Sequence, residues 1–321
     1  MKKMEGKKIV ITGGAGFIGS NLAAAFFEEN EVTVVDDLST GNIKNIQSLI
    51  DAQEINYING DVTDQDLLGR ILKGIDYVFH EAAIPSVPRS IRDPLKTNNA
   101  NITGTLVCLN AARKANVKRF IFASSSSVYG DTPTLPKHEG MTANPLSPYA
   151  LTKFTGEQYC RLFSDIYGLS TISLRYFNVF GPHQNAKSEY AAVIPRFILR
   201  SMKEMELEVY GDGEQTRDFT FINDVVHANA LAAESSETGI FNIASGRRIS
   251  INEVAQRVSK ILGKNVETRF ECSRKGDVMH SMADISKAEK DLNYYPEFSF
   301  NEGLKKTISW FKANKISSGD D

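Results

Sequence analysis

Tyr149 and Lys153 stand four residues apart, in the run Ser147-Pro148-Tyr149-Ala150-Leu151-Thr152-Lys153. On a helix, positions i and i+4 share one face. Ser147 is a good N-cap and Pro148 a good first helical residue, so the spacing predicts a helix that starts here. The chemistry open to such a pair is proton transfer at a hydroxyl. A phenol titrates near ~10, too high for a base at neutral pH, and a neighbouring ammonium favours the phenolate. With that correction, Tyr149 can take a proton from an alcohol and return it. Taken alone the pair is a loose pattern, and a surface tyrosine and lysine fit it as well. What gives it weight lies upstream. Ala123-Ser124-Ser125-Ser126-Ser127-Val128-Tyr129 puts a run of hydroxyls at the end of an apolar stretch.

The elements that must position these groups begin with Lys8-Ile9-Val10-Ile11, an apolar, β-branched run that reads as a buried strand. Thr12-Gly13-Gly14-Ala15-Gly16-Phe17-Ile18-Gly19 follows at once. A helix is expected from Ser20 to Glu29, with Leu22, Ala23, Phe26 and Phe27 inward. Val32 to Val35 is the second strand and ends in Asp36-Asp37. Strand, glycine turn, helix, strand, acid is the context that makes a glycine motif informative. Glycines at 13 or 14, 16 and 19 let the backbone approach a pyrophosphate at a helix N-terminus, where free N–H groups and the dipole favour anions. Asp36 is placed to bond both hydroxyls of a ribose. A carboxylate there repels a 2′-phosphate, so NAD is expected rather than NADP.

Composition narrows the class. The chain has 321 residues, with Lys+Arg 37 against Asp+Glu 39 and a net charge of −2, which argues against a nucleic-acid or polybasic membrane surface. Cys108, Cys160 and Cys272 are far apart, show no metal spacing and read as free thiols in a reducing compartment. The basic N-terminus is followed by too short an apolar run for a signal peptide or membrane span. A cytoplasmic protein is expected.

After a loop through Gly41 and Asn42, Asn56-Tyr57-Ile58 reads as a third strand. Asp61, in Gly60-Asp61-Val62-Thr63, could bond an adenine amino group or serve a turn or a cap for the helix near Asp64. Asp76 to His80 is a fourth strand, with His80 expected to be structural. It leads into Glu81-Ala82-Ala83, where small residues let the backbone pack against a cofactor. A long helix is expected from Asn98 to Ala115. Lys118 to Ala123 is a fifth strand, delivering the serines to the C-terminal sheet edge where open α/β sheets bind ligands. The helix from Tyr149 to about Tyr167 offers Ala150, Phe154, Tyr159, Leu162 and Phe163 to a core. Leu169 to Leu174 is a sixth strand. Beyond Arg175 the alternation loosens. Ala191 to Met202 reads as a helix broken near its start by Pro195, Leu207 to Tyr210 as a strand, and Ile251 to Leu262 and Ser299 to Ala313 as helices. The fold expected is α/β: a doubly wound parallel sheet over residues 1–175, with a smaller α/β domain over 176–321 packed on its open edge and segments interleaved.

Taken together, the glycine turn, Asp61-Val62, Asn101-Ile102-Thr103-Gly104-Thr105, the serine run, Tyr149-x-x-x-Lys153 and Arg175-Tyr176-Phe177-Asn178 resemble the extended short-chain dehydrogenase/reductases. Among these the closest likeness is to the UDP-sugar 4-epimerases, over nearly the whole chain. The resemblance implies a Rossmann-type domain holding NAD through Gly13, Gly16, Phe17, Ile18, Gly19, Asp36, Asp37, Asn42, Asp61, Val62, Ala82, Asn101, Tyr149, Lys153 and Phe177. It makes Tyr149 the catalytic base and acid, Ser125 its assistant, and Lys153 the ligand of the nicotinamide ribose. Asn178 falls on a residue touching the substrate diphosphate, Tyr210 on an aromatic near uracil, Arg217 and Arg274 on diphosphate-neutralising arginines, and Asp277 on an acid near the uridine ribose. Val193 joins the substrate set. Considered singly, each arginine fits a surface ion pair as well.

The serines also separate reactions. The family's sugar-nucleotide 4,6-dehydratases carry Asp-Glu in place of Ser126-Ser127, and its UDP-glucuronate decarboxylases usually keep Glu at the second position. UDP-glucuronate 4-epimerases usually have Thr at the place of Asn178. A 4-epimerase of UDP-GlcNAc/UDP-GalNAc, and of UDP-glucose/UDP-galactose, is therefore expected, working by loan and return of the C4 hydride. A net oxidoreductase or a glucuronate-type epimerase is the alternative. Ser281 falls on the family's gatekeeper, where a small residue leaves room for a 2-N-acetyl group, and Ser86 and Ser126 could bond that acetamide. Lys275 departs from the proline of many relatives. The family usually dimerises through a four-helix bundle, and a homodimer is expected.

Overall fold

The computed structural model describes residues 4–186, 191–264, 266–272 and 278–314. Its first half alternates strand and helix: β1 (Lys8–Thr12), α1 (Phe17–Phe26), β2 (Glu31–Asp36), α2 (Gln47–Asp51), β3 (Asn56–Asn59), α3 (Gln65–Ile71) and β4 (Tyr77–His80). Then come α4 (Val87–Arg92), α5 (Pro94–Asn98), α6 (Gly104–Lys114), β5 (Arg119–Ser125), α7 (Pro148–Tyr167) and β6 (Thr171–Tyr176). The second half holds β7 (Val179–Phe180), α8 (Val193–Met202), β8 (Leu207–Tyr210), β9 (Thr216–Arg217), β10 (Thr220–Phe221), α9 (Ile222–Glu234) and β11 (Gly239–Ile243). It closes with β12 (Ile249–Ser250), α10 (Ile251–Leu262), β13 (Thr268–Glu271), α11 (Ser286–Leu292) and α12 (Phe300–Ala313).

Among the described residues the central sheet is seven-stranded, in the order β11-β6-β5-β4-β1-β2-β3, and every pairing is parallel. Parallel strands need crossovers, and helices on both faces supply them, so the inner strands are buried runs rather than alternating ones, while the edge strand β3 is not buried. The order reverses between β1 and β4, which opens a crevice at their C-terminal ends. β11 comes from beyond residue 175, so the chain leaves the sheet for α8 and β8 and then returns to its edge. No helix among the described residues is long and apolar enough to cross a membrane.

Several expected elements take a different form. The helix expected from Asn98 starts earlier, at Pro94 with Asp93 as its cap, and passes through a π-helical turn at Asn99–Thr103 before α6. Pro195 does not break α8. It is the third residue of that helix, where its missing N–H has no intrahelical acceptor to lose. The sixth strand is shifted toward Tyr176. Leu162, expected in the core, is 38% exposed.

Candidate active site

The turn after β1 is built for close approach. Gly13 has φ +70°, and a Cβ there would lie 2.6 Å from the backbone nitrogen of Ala82. A Cβ on Gly19 would lie 2.3 Å from the Gly13 carbonyl oxygen, so α1 rests on the turn itself. Gly16 is the N-cap of α1; no side chain caps it and its first turn carries no acid. The N–H groups and dipole at that end are set for an anion. Phe17 and Ile18 form the first turn, half-buried.

Asp36 closes the same crevice. Its Oδ2 accepts from the Ala15 N–H at 2.9 Å and its Oδ1 from the Leu38 N–H at 2.8 Å. Burial pushes its pKa up while these two bonds pull it down. The Asn42 N–H donates to the Ala15 carbonyl at 3.0 Å, and its side chain caps the short turn at Ile43–Asn45. Asp37 is exposed and accepts from Ser39 N–H. Asp61 accepts from Thr63 N–H at 2.8 Å, and the cap of α3 is Asp64. A cap role for Asp61 is thereby filled by its neighbour, and the exposed carboxylate lies after β3 beside buried Val62. This cradle fits a dinucleotide: a side-chain-free turn for pyrophosphate, a helix end for its charge, and a carboxylate at the second strand.

α7 is capped as its sequence suggests. Ser147 Oγ accepts from Ala150 N–H at 3.1 Å, and Pro148 is the first helical residue. The helix lies very close to β5, since a Cβ on Gly156 would be 2.3 Å from the Phe122 ring. That approach lets Lys153, 5% exposed, donate from Nζ to the Ala123 carbonyl at 2.7 Å. Its Nζ is 6.0 Å from the centroid of the Tyr149 ring.

The expected lowering of the Tyr149 pKa by Lys153 is not what the protein alone provides. Burial pushes the phenol up, a hydrogen bond from Ser125 pulls it down, and the charge of Glu81 raises it. Burial also pulls Lys153 down, to about 8, against the charges of Glu81, Glu157 and Cys160. Four-residue spacing brought the two groups together as read, but burial sets the direction of both shifts, up for the phenol and down for the amine.

Ser125 ends β5 opposite Tyr176 of β6, and its Oγ accepts from Ser127 N–H at 3.2 Å. Ser126 is half-exposed in the following turn. Beneath them is a buried ion pair that spacing did not reveal. Arg175 grips Glu157 with Nε to Oε1 and Nη2 to Oε2, both 2.7 Å, and Ser124 donates to Oε1 at 2.5 Å. His80 is structural, as expected. Thr105 donates to the Asn101 carbonyl at 2.6 Å, so its oxygen accepts from His80 Nε2 at 2.9 Å, and His80 Nδ1 accepts from Thr12 at 2.8 Å. Burial pulls this histidine down to about 3, so it stays neutral.

Two expected cofactor contacts are committed elsewhere. Asn101 is 2% exposed; it accepts from Ile84 N–H at 2.7 Å and donates to Ile84 O at 3.2 Å and Thr152 Oγ1 at 3.0 Å. It ties the loop after β4 to α7. Phe177 is fully buried against Tyr129, at 6.1 Å between rings, and offers no surface to a ligand in this conformation.

A cleft of about 320 Å³ collects Ser86, Asn178, Val193, Tyr210 and Arg217 along one wall or another. Ser86 (φ +92°) and Asn178 (φ +35°) are non-glycine residues in strained left-handed backbone at its rim. Arg217 Nη1 donates to the carbonyls of Thr216 and Met279, at 2.9 and 3.2 Å. Ser281 is 9% exposed, and its N–H donates to the Thr216 carbonyl at 3.0 Å. Arg274 and Asp277 lie outside the described residues. Arg196, which the sequence reading passed over, also lines the cleft. Its guanidinium sits 5.1 Å from the Tyr210 ring centroid and donates to the Glu208 carbonyl at 3.0 Å. The signal was there: Val193 and Arg196 are three apart on α8 and share a face. Among the described residues no cluster suited to a metal ion occurs.

A family model described as NAD dependent epimerase/dehydratase matches residues 9–244. The chain belongs to this family. NAD is its cofactor, in keeping with the cradle at Gly13, Gly16 and Asp36. This epimerase/dehydratase family member is 38% identical over 309 residues to a putative UDP-glucose 4-epimerase of Methanocaldococcus jannaschii, covering 95% of this chain and 99% of the relative. A UDP-N-acetylglucosamine 4-epimerase of Methanobrevibacter ruminantium M1, solved with UDP-N-acetylmuramic acid, superposes with a TM-score of 0.94 at 42% identity, over 97% of this chain and 100% of that one. A UDP-glucuronic acid 4-epimerase of Bacillus cereus, solved with UDP-glucuronic acid and NAD, gives 0.89 at 34% identity, over 96% and 99%.

Proposed function

We propose that the protein is a UDP-hexose 4-epimerase acting on UDP-GlcNAc/UDP-GalNAc and on UDP-glucose/UDP-galactose. The observation that carries the reading is the Ser125, Tyr149 and Lys153 set at the dinucleotide crevice, followed by serines at 126 and 127 rather than carboxylates. That set supports oxidation and reduction at one carbon, without the additional acid and base that loss of water requires. Ser125 and Tyr149 hold the C4 hydroxyl, and Tyr149 takes its proton. NAD held at the cradle of Gly13, Gly16 and Asp36 would supply the acceptor and donor for the C4 hydride. The cleft holds the nucleoside diphosphate, with Arg217 against the phosphates and Tyr210 beside the base, while the 4-keto sugar turns over. The hydride returns to the other face of C4, and Tyr149 gives the proton back to the C4 oxygen. Purified protein without added NAD is tested by NMR against UDP-GlcNAc, UDP-glucose and UDP-glucuronate separately. Conversion of either hexose to its 4-epimer is the expected result. Conversion of glucuronate alone, or activity only with consumption of added NAD, overturns the reading.

Ser281 is the residue proposed to admit the acetamide, with Ser86 and Ser126 to bond it. Ser281→Tyr is expected to lower kcat/KM for the acetylated pair by about tenfold or more while sparing the other, as loss of room for one small group costs about 1–3 kcal/mol. Equal losses on both pairs, measured by the same NMR assay, contradict the gate.

A homodimer is part of the proposal. Leu151, Leu162 and Ile166 lie four, eleven or fifteen residues apart on α7 and are 51%, 38% and 64% exposed, with Leu95 of α5 at 82%. Such a stripe on a helix surface calls for a cover. Sedimentation is expected to return twice the chain mass, and Leu162→Asp to shift it to the monomer. A monomeric wild type contradicts the pairing. Buried Cys108 and Cys160 stand as free thiols, which supports a cytoplasmic location.

A further inference from the structure

Glu81 is a carboxylate at the crevice to which nothing above assigns a task. It follows β4 directly, and its N–H donates to the Thr12 carbonyl at 3.1 Å, which sets it at the C-terminal edge between β1 and β5. Tyr176, the last residue of β6 and the register partner of Ser125, donates its hydroxyl to Glu81 Oε1 at 2.9 Å. Asn229 of α9 holds the same hydroxyl from its other side, Nδ2 to Oη at 2.9 Å. The glutamate is thus held from β6 by a hydroxyl that α9 fixes in turn, and besides Tyr176 it acts on two groups of α7. His80 pairs in register with Phe122, so Glu81 follows beside Ala123, whose carbonyl accepts from Lys153 Nζ, and from there its charge adds to the burial that raises the pKa of Tyr149 and opposes the burial that pulls Lys153 down. The remaining groups around the pair are accounted for. Glu157 and Cys160 also act on Lys153, Glu157 is bound by Arg175, and His80 is neutral.

We propose that Glu81 is a positioning residue for the reaction: held by Tyr176, its carboxylate supplies the counter-charge that keeps Lys153 an ammonium ion beside Tyr149. A buried ammonium without such a partner gives up its proton. A lysine that has lost its proton neither favours the phenolate nor donates to a ribose. The inference rests on the reading of Tyr149 and Lys153 as the catalytic pair. Glu81 is itself pushed up, to about 7, by burial, so its charge grows in as pH rises through neutrality, over the window in which Lys153 would otherwise be lost.

Without the negative charge, Lys153 loses its proton at lower pH and the alkaline limb of kcat/KM moves toward acid. Tyr149, no longer held up by that charge, moves its ascending limb the same way. Glu81→Gln, nearly the same shape, is expected to shift the whole profile toward acid by about one pH unit. Relative to wild type it therefore loses up to about tenfold more activity at pH 8.5 than at pH 6. Tyr176→Phe releases the carboxylate to take a proton and is expected to shift the profile in the same direction by less. Glu81→Asp is expected to restore the wild-type profile. NAD content is measured in each variant, so that loss of cofactor is not read as a shift. An infrared titration without substrate gives the second readout: buried Asp218 and Asp224, both pushed up to about 6, give protonated-carboxyl signal in either protein, and the further component that disappears near pH 7 in wild type is missing from Glu81→Gln. A uniform loss of activity with an unshifted profile overturns the proposal, as does identity of the two infrared titrations. If the protein turns over a different sugar nucleotide, the infrared result still decides the state of Glu81, so this inference and the substrate reading fail separately.

Discussion

Tyr149→Phe is expected to lower kcat on the order of 10²–10⁴-fold, the usual worth of a positioned acid and base, while UDP binding by calorimetry is unchanged. The substitution keeps the ring at the start of α7 and removes only the hydroxyl. That hydroxyl is the group Ser125 bonds, at the start of α7. Burial holds its pKa above the ordinary phenol range, so the base form is scarce at neutral pH in the protein alone. Activity is therefore expected to climb with pH until Lys153, at about 8, begins to lose its proton, and then to fall. A variant that keeps a tenth or so of wild-type turnover removes Tyr149 from the mechanism, since an uncatalysed proton transfer could not support that rate.

Glu157→Leu is expected to destabilise the fold by about 3–5 kcal/mol, because it strands a buried guanidinium. Arg175 is 2% exposed, and Glu157 1%, and between them run two 2.7 Å bonds. Arginine does not shed its proton to escape, and here the partner's carboxylate holds it firmly in the charged form. Removing both partners, as Glu157→Leu with Arg175→Met, is expected to recover much of the loss, since well-packed apolar residues often replace a buried pair at little cost. Denaturant midpoints for the single and double variants make the comparison. A single variant within 1 kcal/mol or so of wild type, or a double variant worse than the single, contradicts this role. The same substitution is expected to impair catalysis beyond its effect on folding. Glu157 is one turn beyond Lys153 on α7 and bonds Ser124, the neighbour of Ser125.

The parts of this molecule that were legible in the sequence are those carried by local rules. Ser147 and Pro148 announce α7 because capping is a matter of a few adjacent residues. Gly13, Gly16 and Gly19 announce the crevice because a backbone without side chains at that spacing has few other uses between a strand and a helix. His80 could be read as structural because an apolar strand surrounds it. What escaped depends on residues far apart in the chain. Glu81 meets Tyr176 across 95 positions, and Arg175 meets Glu157 from a neighbouring strand. The pKa of Tyr149 depends on burial, which four-residue spacing does not encode. β11 looks like any short strand; its place at the edge of the main sheet beside β6 follows from long-range pairing. The π-helical turn at Asn99–Thr103 hides inside a helical pattern, because the change is in the hydrogen bonds and not in the residue types. Pro195 was misjudged for the opposite reason: the rule against proline holds in a helix interior, and the boundary lay two residues closer than the pattern suggested.

In the proposed reaction the hydride leaves C4 and comes back within one active site. That return is tested most directly by running the reaction in D₂O with UDP-GlcNAc or UDP-glucose and no added NAD. Product carrying protium at C4, formed without any nicotinamide in the medium, is the predicted result, because only the hydroxyl proton handled by Tyr149 exchanges with solvent. Deuterium at C4 of the product would mean that the C–H bond is broken as a proton and remade from water, and would contradict the mechanism.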